Sequence, residues 1–119
     1  MELNEYQEKA MTTCMESSNN FGYMFLNLVG EVGEFASKIG KAIRKEAACI
    51  EFNDLGFTGH YEEEELMKEA GDILWQLSGL CKVMGWNLED VAQLNLDKLA
   101  ARKAVGTIDG NGDGIIREK

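Results

Sequence analysis

No proline occurs in the chain, so no ring of that kind kinks or stops a long helix. Histidine occurs once, at His60, and cysteine three times, at Cys14, Cys49 and Cys81, with no CxxC pair. An odd count without that spacing indicates neither a disulfide framework nor a zinc site. Reduced thiols are expected, with Cys14 and Cys81 as core side chains among apolar neighbours. No stretch of about 18 apolar residues is present, so no transmembrane helix is expected. The opening residues MELNEYQEKA hold neither a basic segment nor an apolar one, so no secretory leader is expected either. Positive charge is scarce. Twelve Lys and Arg stand against 21 Asp and Glu, for a net charge of -9. Such a chain repels nucleic acid and anionic membrane unless a metal or a local basic patch reverses the field. A cytoplasmic protein with no nucleic-acid or membrane partner is the expectation.

The chain is not short of apolar residues. They make up 45% of 119 positions, enough for one globular domain over residues 1–119. Four helices are predicted. The first runs from Leu3 to Ser18. The second runs from Phe21 to Glu46, where Phe25, Leu28, Val32, Phe35, Ile39 and Ile43 step by three and four along one face. The third runs from Tyr61 to Met84, with Leu66, Ala70, Ile73, Leu77, Leu80 and Met84 as a seam suited to bundle packing. The fourth starts after Gly85, with Asn87 as N-cap and Glu89 and Asp90 in the first turn. It runs to Lys103 with Val91, Leu94 and Leu99 inward. The segment 47–60 and the glycine-rich tail 105–119 are predicted irregular. The fold class is therefore all-α, a four-helix bundle-like arrangement.

Two acid pairs stand out. Glu31 and Glu34 lie on the second helix, Glu69 and Asp72 on the third. Each pair is spaced i,i+3 and projects from one side of its helix. If the two helices pack antiparallel, the four carboxylates converge. Carboxylates brought together repel, and a divalent cation resolves the repulsion. All-oxygen ligands favour Mg²⁺, with Mn²⁺ as substitute, over zinc. The flanking residues FLNLVGEVGEF are apolar, and Gly30 and Gly33 cost roughly 1 kcal/mol each in a helix interior, which points to close approach of a backbone or ligand. Among 21 acidic residues, such pairs also arise as a plain solvated surface, and that reading stays open. Asn95, Lys98 and Arg102, at i, i+3 and i+7, form a polar and cationic stripe that suits a polyphosphate. Lys38, one turn past Glu34, is a further phosphate candidate.

Other motifs carry less. DGNGDG in the tail opens like a calcium loop, but the chain ends at Lys119, before the bidentate glutamate such a loop requires. His60 reads as a surface residue. Trp75 and Trp86 read as core, and Phe52, Phe57 and Tyr61 as conceivable lining of a nucleotide pocket.

Glu31-x-x-Glu34, Glu69-x-x-Asp72 within LMKEAGDILWQL, and NLDKLAAR with Asn95, Lys98 and Arg102 together resemble the MazG-like all-α nucleotide pyrophosphohydrolases, over nearly the whole chain. That resemblance implies Mg²⁺-dependent hydrolysis of a nucleoside or deoxynucleoside triphosphate to monophosphate and pyrophosphate. It implies Glu31, Glu34, Glu69 and Asp72 as metal ligands. Glu34 is the candidate proton acceptor. Lys98 and Arg102 neutralise phosphate charge, and Asn95 orients a phosphate or the sugar. It also implies a homodimer or homotetramer that completes the bundle. Two departures are visible. Gly30 stands where the family often has another acid, and the connection between the acid pairs is longer than usual. The Gly30 departure favours an alternative, a catalytically inactive nucleotide-binding or regulatory module of the same fold. A helical interaction protein with an acidic docking surface is the other alternative.

Overall fold

The computed structural model describes residues 1–44, 52–53, 56–57 and 63–106. Among these the chain is all-α, built on four helices: α1 (Leu3–Met11), α2 (Phe21–Arg44), α3 (Glu63–Val83) and α4 (Leu88–Ala104). A 3₁₀ turn, Glu16–Ser18, lies between α1 and α2. Within the segment predicted irregular, β1 (Phe52–Asn53) pairs antiparallel with β2 (Gly56–Phe57), Phe52 opposite Phe57 and Asn53 opposite Gly56. His60, Tyr61, Cys49 and the DGNGDG motif lie outside the described residues. No described helix is long and apolar enough to cross a membrane.

α1 stops seven residues before the predicted end at Ser18, and the reason is local. The Thr12 and Thr13 hydroxyls each donate at 2.6 Å to the carbonyls of Lys9 and Ala10, taking acceptors the next helical turn would use. The Trp75 indole N–H then donates to Ala10 O at 3.1 Å and Thr13 Oγ1 at 2.9 Å, pinning the end of α1 to α3. α3 ends in a Schellman turn: Gly85, at φ 78°, takes the left-handed conformation, and Trp86 N–H reaches back to Cys81 O at 2.8 Å. A side chain at position 85 would be strained there.

α3 is the central helix, with α2 packed along it and α1 and α4 at its C-terminal half. Its most buried residues are not the predicted leucine seam but Gln76, Ser78, Gly79 and Cys81. Gly79 is small for a packing reason. A Cβ there would run into the Met24 sulfur and methyl, and Met24 is fully buried. Leu66, Ile73, Leu77 and Leu80 are half-buried, and Ala70 and Met84 are exposed. On α2, Leu28, Phe35 and Ile39 turn inward, but Phe25 and Val32 of the expected seam face outward.

Asn87 occupies the N-cap position of α4 without a side-chain capping bond. That work falls to α1: Leu88 N–H donates to Gln7 Oε1 at 2.9 Å and Glu89 N–H to Asn4 Oδ1 at 3.0 Å. Leu88 and Arg102 are the buried α4 residues, with Val91 and Leu99 half-buried. Leu94, expected inward, is exposed together with Leu96, because α4 meets α1 and α3 along a narrow line and leaves its opposite side open. Trp86, expected in the core, is 49% exposed. Cys81 is buried and Cys14 half-buried, both as free thiols.

Candidate metal centre

α2 and α3 hold the acids because both are long, proline-free helices packed against each other along much of their length. Glu31 falls on the buried side of α2, in step with Met24, Leu28 and Phe35, which are seven, three and four residues from it. It therefore faces α3. From α3, Glu69 is half-buried and Asp72 exposed. One carboxylate oxygen each from Glu31, Glu69 and Asp72 lies within 4.8 Å of the others. An octahedral ion with metal–oxygen distances of about 2.1 Å separates its ligand oxygens by about 3–4 Å. The three side chains match that chemistry in donor type and spacing: hard oxygens, no thiol, no imidazole. The fit to a small divalent cation is good.

Glu34 is not in that group. Three residues advance the helix by about 300°, so with Glu31 aimed at α3, Glu34 stands at the rim and is exposed. It is still electrically present. Burial pushes the Glu31 carboxyl above the usual glutamate range, and the charges of Asp72, Glu69 and Glu34 push it further. Glu31 thus resists ionising beside its neighbours unless a cation joins them.

Lys38 does reach the cluster. Its Nζ lies 3.6 Å from Glu69 Oε1, with the Lys38 side chain 40% and the Glu69 side chain 15% exposed. Asn95 and Lys98 are exposed on α4 and Arg102 is buried. α4 packs on α1 and α3 and contributes none of the three clustered oxygens.

Sequence reading missed the part played by α1. Tyr6 stands close enough to Asp72 to feel its charge; burial first, then Asp72, raise the Tyr6 hydroxyl above the ordinary tyrosine range. Gln7 is buried and bonded to three backbone groups, one each in α3, the α3–α4 turn and the first residue of α4. Neither residue belongs to a motif. The one available signal was a polar Tyr-Gln pair inside an otherwise acidic helix, too weak to single them out.

Residues 20–106 match the family model described as the MazG nucleotide pyrophosphohydrolase domain. The chain is also similar to the Gene 37 protein of Mycobacterium phage L5, 32% identical over 120 residues that span 95% of this chain and 98% of that protein. No solved structure matches. The family match takes in the acid pairs and all of α4, and leaves α1 outside.

Proposed function

The chain belongs to the MazG nucleotide pyrophosphohydrolase family, and from that premise we propose that it hydrolyses a nucleoside or deoxynucleoside triphosphate to the monophosphate and pyrophosphate, with Mg²⁺ or Mn²⁺ as cofactor. The convergence of Glu31, Glu69 and Asp72 oxygens across α2 and α3 carries this reading. Mg²⁺, when bound there, supplies polarisation of phosphate oxygens and activation of water for attack at the α-phosphorus. Glu31, Glu69 and Asp72 hold the ion. Glu34, exposed one turn further along α2, accepts the proton of the attacking water. Lys38, Lys98 and Arg102 offset the growing charge on the phosphates, and Asn95 orients a phosphate or the sugar.

A panel of nucleoside triphosphates incubated with Mg²⁺ and resolved by chromatography tests this directly. Monophosphate and pyrophosphate form in equal amounts, and chelation of the metal stops both. Release of orthophosphate as the primary product rules the reaction out. The glycine at position 30, and the place of Glu34 outside the clustered oxygens, favour one alternative, a nucleotide-binding module without turnover. Calorimetric binding of triphosphate in Mg²⁺, with no product after prolonged incubation, decides for that alternative.

The functional unit we propose is a homo-oligomer. α2 exposes Phe21, Phe25, Leu26, Val29 and Val32, and its Gly33 has only open space where a Cβ would sit. A contiguous apolar face of this kind marks an association surface, and the bare glycine admits a helix of a second copy at close range. Leu26→Glu with Val29→Glu places two charges in that surface. Sedimentation velocity is expected to show the wild type as a dimer or tetramer and the double variant as monomer. A monomeric wild type at tens of micromolar contradicts the assembly.

A further inference from the structure

We propose that Lys38 is a built-in counter-ion of the carboxylate cluster: a divalent cation displaces its ammonium from Glu69, and the freed ammonium then serves a phosphate of the substrate. This rests on the reading of Glu31, Glu69 and Asp72 as metal ligands and adds to it the order in which charges occupy the site.

The ion pairs Lys9–Glu5 and Lys68 with Glu64 and Glu65 are formed within single helices between well-exposed partners. The Lys38–Glu69 pair is different. It joins α2 to α3, and its acid is one of the three clustered carboxylates, with only 15% of the side chain exposed. Lys38 follows Glu31 by seven residues, so both leave the same side of α2 two turns apart. Its ammonium cancels one of the three carboxylate charges and thereby lowers the repulsion that holding Glu31, Glu69 and Asp72 together entails. The same ammonium repels an incoming divalent ion and competes for Glu69 oxygen. A lysine suits this exchange. It is a compact point charge on a flexible stem, so it can leave Glu69 without moving the backbone. Once the ion is in place, the freed charge faces a polyphosphate that is more negative than the carboxylate it left.

The pair therefore has opposite effects on the two ligands, which an ordinary phosphate-binding lysine or a purely structural ion pair does not produce. Full-length wild type, Lys38→Met and Lys68→Met are titrated calorimetrically with Mn²⁺ alone, then, at saturating Mn²⁺, with a non-hydrolysable triphosphate analogue. Lys38→Met is expected to bind Mn²⁺ about three- to tenfold more tightly than wild type and the analogue about three- to tenfold more weakly. Lys68→Met, with the same loss of charge on α3, stays within about twofold of wild type for both. Unchanged or weaker Mn²⁺ binding by Lys38→Met, with wild type binding normally, overturns the counter-ion role and leaves the metal site standing. Tighter Mn²⁺ with unchanged analogue affinity overturns the transfer to phosphate. Absence of Mn²⁺ binding in wild type and Lys38→Met alike overturns the metal site and this proposal together.

Discussion

Glu31→Gln and Asp72→Asn are each expected to lower kcat by about a thousandfold while the metal-free proteins fold normally, and Glu31→Gln melts above wild type. The two halves of this result have one cause. Glu31, Glu69 and Asp72 bring oxygens within 4.8 Å of one another, an arrangement that suits a divalent ion and strains the protein without one. Burial, then Asp72, Glu69 and Glu34, raise the Glu31 carboxyl, so the folded chain holds that proton more tightly than the unfolded chain. The sign follows by linkage. Below the ordinary glutamate value both states are protonated and Glu31 carries no penalty. As pH rises through the raised folded value, the group ionises against its neighbours and stability falls. Above that folded value the penalty is present in full, and glutamine removes it. Loss of function with gain of stability is the mark of residues held in place for chemistry. Glu34→Gln separates binding from catalysis, because Glu34 lies outside the clustered oxygens: turnover falls while calorimetric Mn²⁺ affinity stays within severalfold. Activity within tenfold of wild type in both Glu31→Gln and Asp72→Asn would falsify the assignment of these carboxylates.

Gln7→Leu is expected to destabilise the fold by about 3 kcal/mol, roughly 10–20 °C in Tm, although it lies outside the segment the family model matches. Gln7 is 8% exposed. Its Nε2 donates to Ser78 O at 3.2 Å and to Trp86 O at 3.1 Å, and its Oε1 accepts from Leu88 N–H at 2.9 Å. One amide thus closes the end of α3 and the start of α4. Leucine preserves the volume and leaves two carbonyls and an N–H without that partner, each at a cost of about 1–3 kcal/mol if water cannot reach it. Gln7→Glu keeps the acceptor for Leu88 but sets a carboxylate oxygen against the Ser78 and Trp86 carbonyls, and at neutral pH it is expected to cost at least as much as leucine. Guanidinium unfolding followed by circular dichroism measures the difference, and a loss below about 1 kcal/mol removes Gln7 from this role. On the roles proposed for Asn95, Lys98 and Arg102, the effect is expected to extend to activity: if the N-terminus of α4 is released from α1, those groups lose their fixed relation to α3.

The helices themselves were legible because the forces that make them are local. Without proline, and with apolar residues at three- and four-residue steps, α2, α3 and α4 begin and end within a few residues of expectation. The acid pairs were legible for the same reason: i,i+3 spacing puts Glu31 with Glu34, and Glu69 with Asp72, on one side of a helix whatever surrounds it. α1 was overestimated because two threonine hydroxyls compete for its last carbonyls, and residue spacing does not register that competition.

Distances between helices belong to another class of information. The rotation of α2 about its own axis is fixed by its packing on α3, in which Met24 lodges against Gly79, 55 residues away in sequence. That rotation turns Glu31 toward α3, leaves Glu34 at the rim, and carries Lys38 to Glu69. It also turns Phe25 and Val32 outward, where residue pattern alone had put them in the core. The junction of α1 with the α3–α4 turn is likewise long-range, made by a glutamine that no periodicity marks. Local propensity and spacing thus sufficed for which residues share a helix face. Which of those faces meet, and so which three of four acids gather, depends on side-chain packing between distant segments, whose energy has no counterpart in any short stretch of chain.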